Sequence, residues 1–129
     1  MVKILDLLAL LAYCALIYWL SDQSSVKNPF DFGIDYQDKL YHAGAYFIMG
    51  ILIWRVLHYQ IASSILLMLL SISFCALYGL SDEWHQSFIH GRESDSADWL
   101  ADTIGSTIAI LLAYISGKSI NKLKFPSFL

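Results

Sequence analysis

Residues 61–80 read IASSILLMLLSISFCALYGL, twenty positions without one charged side chain. A helix that crosses the hydrocarbon of a bilayer needs about 20 such residues. The stretch does not alternate with period two, as a membrane strand would. Directly after it comes SDEWHQ (residues 81–86), where polar groups return all at once. The chain thus holds a spanning helix with a polar end, and three further apolar runs match it in length. Residues 4–20 are interrupted only by Asp6. Residues 40–57 carry His42 near one end and Arg55 near the other. Residues 99–115 carry one charge, Asp102, near their start.

Composition agrees. Of 129 residues, 57% are hydrophobic and 15% charged, whereas soluble domains are about 25% charged. The net charge of −3 lacks the basic excess of a nucleic-acid binder. Four spans of about 20 residues consume roughly 80 positions, which leaves loops and no soluble catalytic domain. The expected fold is an all-α bundle of four transmembrane helices in one domain over residues 1–129. The first run is followed by Ser21-Asp22-Gln23-Ser24-Ser25. That stretch lacks the small-residue cleavage pattern of a signal peptide, so the run is read as retained. Cys14 and Cys75 lie inside apolar runs and are expected to be free, buried thiols.

Basic residues orient the bundle. Lys3, Arg55, Lys118, Lys122 and Lys124 flank one set of helix ends, and Lys27, Lys39 and Arg92 the other. Five against three places both termini and the short second loop in the cytoplasm. All the acids except Asp6 then fall at or near the outer face. Tyr18, Trp19, Tyr41, Trp84 and Trp99 form the expected outer aromatic belt, and Trp54, Tyr59 and Tyr114 the inner one. In the fourth helix, Ala101, Gly105, Ala109 and Ala113 recur every fourth residue, a stripe that lets a neighbouring helix approach closely.

The outer loops are expected at residues 21–39 and 81–98, the first turning at Asn28-Pro29 and Gly33. Polar residues gather where these loops meet helices. Asp38, His42 and Tyr46 are spaced by four and share a helix face, with Lys39 beside them. Tyr78, Asp82 and Gln86 repeat that spacing, with Glu83 and His85 adjacent. Asp95, Asp98, Asp102 and Gly105 fall in one stripe. Gly91-Arg92 makes a turn, and Arg92 is the sole Lys or Arg of its loop. Ionisable groups at the edge of a bilayer are costly unless paired or hydrated, so a pocket or a set of ion pairs is expected there, with Arg92 meeting Glu83, Asp98 or Asp102. Asp95 and Asp22 read as solvated caps. Asp31, Asp35 and Glu93 read as loop acids, and His58 and His90 as surface histidines.

In their order and at these helix ends, the motifs Asp38-Lys39-x-x-His42, Asp82-Glu83-x-x-Gln86-x-Phe88-x-x-Gly91-Arg92 and Asp98-x-x-x-Asp102-x-x-Gly105 resemble the VanZ-like family of small bacterial membrane proteins, named after a teicoplanin-resistance protein. The chain departs from that pattern at His90, where the family often has proline, and at Asp102, where it often has asparagine. The resemblance implies a multi-pass envelope protein, linked in some members to glycopeptide susceptibility. It supplies motif positions and no reaction.

Three functions compete on these residues. The first is an outer-face site for a lipid-linked or peptidoglycan-related envelope molecule. Asp38, Lys39, Asp82, Gln86, Arg92, Asp98 and Asp102 would bind it, and Glu83 or His42 would be the candidate catalytic acid or base. The second is a scaffold without chemistry, in contact with membrane lipids, whose polar cluster holds the helices together and alters access to the cell surface. The third is ion or proton transport, against which stand the almost wholly apolar inner halves of helices one, three and four. The cofactor is unknown from sequence. His42, His85, Glu83, Asp98 and Asp102 offer metal ligands, yet no fixed ligand spacing organises them.

Overall fold

A computed structural model describes the backbone of residues 2–24 and 32–124, and the side chains of residues 3–24 and 32–117. Lys27, Asn28, Pro29 and Asp31, and the side chains of Lys118, Lys122 and Lys124, lie outside the described residues. Four α-helices follow in order: α1 (Val2–Ser21), α2 (Gln37–His58), α3 (Ser64–Gln86) and α4 (Ser96–Lys124). Each is long and apolar enough to cross a membrane. At 1.5 Å per residue α3 spans about 34 Å, slightly more than a bilayer's hydrocarbon.

The helices run further than their apolar cores suggest. α3 does not end at Leu80. It continues through Asp82, Glu83 and Gln86, because the four-residue spacing of Tyr78, Asp82 and Gln86 keeps the same face turned inward. It starts at Ser64 rather than Ile61, since the Ser63 hydroxyl accepts the Leu66 N–H at 3.4 Å and caps it. α4 begins after Asp95, whose carboxylate accepts the Ala97 N–H at 2.9 Å. The chain enters α2 through Tyr36 in the left-handed region (φ 66°).

α2 and α4 form the central pair, α3 packs on both, and α1 lies outside, against α2 and the edge of α3. The small-residue stripe sets that order. A Cβ on Gly105 would overlap the backbone of Ala43, and one on Gly50 would come within 2.8 Å of the Ser106 carbonyl oxygen. Only glycine lets these two helices touch backbone to backbone. Leu10, Ile17, Tyr46, Met49, Ile53 and Cys75 form the buried cluster, and both cysteines are free. Hydroxyls tie helix to helix: Tyr13 donates to the Ala45 carbonyl (2.9 Å) and Tyr78 to the Cys14 carbonyl (2.6 Å).

The outward surface is apolar. Leu5, Leu8, Leu11, Leu69, Leu77 and Ile104 are all about half exposed or more, as a lipid-facing surface requires. Tyr18, Trp19 and Trp84 are exposed as belt residues should be. Trp99 and Tyr41 are not. Trp99 turns inward and donates its indole N–H to the Ala76 carbonyl (2.9 Å), and Tyr41 lines a cleft. At the other end Tyr59 is exposed, with the Lys3 ammonium 5.3 Å from its ring centre, while Trp54 and Tyr114 are half-buried.

Candidate functional site

One end of the bundle, where α1 ends and α4 begins, buries an unusual set of groups: Asp82, Glu83, Gln86, Asp98 and Asp102 are each under 10% exposed. Buried carboxylates need partners, and the partners are specific. Lys39 Nζ has three hydrogens and uses all three, donating to Asp38 (2.9 Å), Asp95 (2.6 Å) and Asp98 (2.5 Å). It thereby joins α2 to the start of α4. Asp95 is thus more than a solvated cap. The Lys39 ammonium and the Ala97 N–H hold its carboxyl below the usual carboxylate range.

His42 sits one turn further in. Its Nδ1 lies 2.9 Å from Oδ1 of Asp102, which is fully buried. This contact fixes the ring's orientation. Nε2 then faces Asp98 Oδ2 at 3.6 Å, too far for a hydrogen bond. Glu83 approaches from α3. Its Oε2 accepts the Asp95 N–H (2.9 Å) and the Ser94 hydroxyl (3.3 Å), and its Oε1 is buried with no partner. An oriented imidazole beside a free carboxylate oxygen is an arrangement able to accept and donate protons, or to hold a cation.

Beside this network opens a cleft of about 330 Å³. Asp38, Tyr41, His42 and Tyr46 from α2, Asp82 and Gln86 from α3, and Arg92 line its polar side. Ile17 and Leu20 of α1 with Ala45 line its apolar side. The hydroxyls of Tyr46 and Ser21, both at the cleft, are buried without a hydrogen-bond partner.

Arg92 corrects an expectation. It pairs with no carboxylate among the described residues. Its Nη2 donates to Gln86 Oε1 at 2.8 Å. The acids expected to hold it are occupied elsewhere: Asp98 by Lys39, Asp102 by His42 and Glu83 by the Asp95 backbone. Gln86, which also donates to Asp82 (3.4 Å), props the guanidinium at the cleft instead. His85 likewise departs from the cluster. It stacks on Tyr18 (4.6 Å between ring centres) and lies 3.3 Å from Asp22, so Asp22 too has a partner. His58 and His90 are exposed, as are Asp35 and Glu93.

Sequence reasoning missed Ser21 and the pairing of Asp6 with Arg55, while Tyr46 was already in view. Ser21 looked like the first loop residue, and only its place on the cleft gives it meaning. Tyr46 was visible as an extension of the Asp38–His42 face. Asp6 and Arg55 form an ion pair of 2.7 Å near the opposite end of the bundle, with Asp6 only 5% exposed. Each stands as a lone charge in an apolar run, which was the available signal.

No curated protein and no solved structure matches the chain. A sequence model of one family does, over residues 7–117, which takes in α2, α3, most of α1 and α4, and every residue of the polar cluster at the cleft end. The chain belongs to the VanZ/LLP1 family.

Proposed function

We propose that the protein is a multi-pass protein of the bacterial inner membrane, with both termini cytoplasmic, that binds the headgroup of a lipid-linked or peptidoglycan-related envelope molecule in the cleft at its outer face. The observation that carries this reading is the cleft's two-sided lining. Arg92, held by Gln86 and paired with no carboxylate among the described residues, lines the same cleft as the Tyr46 and Ser21 hydroxyls, which have no partner among those residues, while Ile17, Leu20 and Ala45 form an apolar wall. A guanidinium suits phosphate and carboxylate, and the apolar wall suits the first carbons of a lipid chain.

The test is binding of a polyprenyl-phosphate-linked precursor to purified protein in nanodiscs. A charge-assisted hydrogen bond contributes about 1.5–3 kcal/mol, so Arg92→Gln is expected to weaken binding by roughly ten- to a hundredfold. No saturable binding, or equal binding by Arg92→Gln, refutes the reading. Glycopeptide susceptibility of cells carrying the same variant extends the test to the cell surface.

A scaffold reading has one observation in its favour. The Lys39 and His42 contacts join α2 to α4 and would stabilise the bundle with nothing bound. It predicts that Arg92→Gln, which breaks none of those contacts, leaves cells unaffected.

A further inference from the structure

Six carboxylates crowd the polar end of the bundle: Asp38, Asp82, Glu83, Asp95, Asp98 and Asp102. Lys39 neutralises part of that charge but exhausts its three donors on Asp38, Asp95 and Asp98. Arg92 contacts none of the six. One ligand atom from each of His42, Glu83 and Asp98 lies within 4.8 Å of the other two. Each of the three has an atom not otherwise engaged. Nδ1 of His42 is taken up by Asp102, so Nε2 is the ring nitrogen left to ligate when the imidazole is neutral. Glu83 Oε1 is buried and unpartnered. Asp98 uses Oδ1 on Lys39, which leaves Oδ2 turned toward His42. Two carboxylates and an imidazole gathered this closely, in a cluster whose acids outnumber its cations, suit a bound cation.

We propose that His42 Nε2, Glu83 Oε1 and Asp98 Oδ2 form a binding site for one divalent transition cation, Mn²⁺ or Zn²⁺. The ligand set decides the class. Carboxylate oxygens suit hard cations, while a neutral imidazole selects transition metals over Mg²⁺ and Ca²⁺. Metal–ligand bonds near 2.1 Å place ligand atoms roughly 3–3.5 Å apart, so a small inward movement of the three side chains closes the site. Asp102 is the outer partner of such a site. A buried carboxylate on the far nitrogen of a ligating histidine fixes its tautomer and orientation, and Asp102 stands in that position. Two protein oxygens and one nitrogen leave coordination positions for water or a ligand oxygen, and His42 itself lines the cleft. The site depends only on these side chains, not on the cleft's occupant.

The test uses the full chain in detergent, stripped with chelator and titrated with Mn²⁺ or Zn²⁺ alone. Calorimetry is expected to show one saturable cation per chain. Asp102→Asn, which leaves the three ligands in place, is expected to weaken it by roughly ten- to a hundredfold, and Glu83→Gln and His42→Gln by at least as much. Bound Mn²⁺ is expected to show ¹⁴N modulation from a single imidazole in the unaltered chain, a reading that needs no variant to fold. Absence of saturable binding overturns the assignment. So do undiminished affinity in His42→Gln, binding of Mg²⁺ or Ca²⁺ in preference to both transition cations, and bound Mn²⁺ without nitrogen modulation. Precursor binding that fails while the metal titration succeeds refutes the cleft reading and leaves this site standing.

Discussion

Replacing Lys39 with methionine keeps the length of the side chain and removes the charge that Asp38, Asp95 and Asp98 share. Asp98 decides the outcome. Its side chain is 12% exposed and its contact with Lys39 is 2.5 Å, whereas Asp38 and Asp95 are about half exposed and add little. Breaking a fully buried ion pair by removing one partner costs about 3–5 kcal/mol. Lys39 is 22% exposed, and that screening lowers the expected cost to about 2–3 kcal/mol. For a chain of this size that is a fall in melting temperature of about 8–12 °C, readable by thermal unfolding in detergent. The loss comes from a stranded carboxylate, so neutralising that carboxylate should recover part of it. Lys39→Met combined with Asp98→Asn is expected to be more stable than the two single effects summed, by at least about 1 kcal/mol. A Lys39→Met protein that melts within about 3 °C of the original, or strictly additive single and double variants, refutes the view that Lys39 neutralises Asp98 in the folded bundle.

Two further predictions concern the frame around that pair. Gly105→Ala forces α2 and α4 apart, since its new methyl group meets the Ala43 backbone, and is expected to cost about 2–3 kcal/mol. Gly44→Ala, on the same helix as Ala43 but with open space around it, is expected to stay within about 1 kcal/mol of the original. Equal melting temperatures for these two variants would remove the close-approach argument. Reporter fusions at both ends and near Gly33 are expected to place the termini in the cytoplasm and Gly33 outside, and an external signal from either terminus reverses the bundle.

The spans were legible because lipid demands a long run of apolar side chains and leaves no alternative explanation for residues 61–80. The clusters were legible because helical spacing alone aligns Asp38 with His42 and Asp98 with Asp102. Pairing across helices was not. Arg92 and Lys39 are both single cations among acids, and no pattern in the sequence says which one reaches Asp98. The choice rests on three-dimensional reach. Lys39 projects from the first turn of α2 toward the start of α4, while Arg92 follows the turn at Gly91 and comes back against Gln86 of α3. Trp99 shows the same limit. A tryptophan at a helix end fits an interfacial belt, and only the packing of α3 against α4 reveals that its N–H answers a carbonyl inside the bundle. The extension of α3 to Gln86 was hidden by polarity, since a run of Ser, Asp, Glu and Gln reads as loop until its inward face is known.

The placement of α1 has a mechanical consequence. Its foot is pinned by the Asp6–Arg55 ion pair and its middle by the Tyr13 and Tyr78 hydroxyls. Its cleft end rests on apolar contacts, the stacking of Tyr18 on His85 and the long 3.3 Å approach of His85 to Asp22. A lever fixed at the bottom and held more lightly at the top would swing most where it walls the cleft. The ion pairs that join α2 to α4 involve no residue of α1, so such a swing would change the width of the mouth without disturbing any of them, and it would open sideways, into the plane of the lipid.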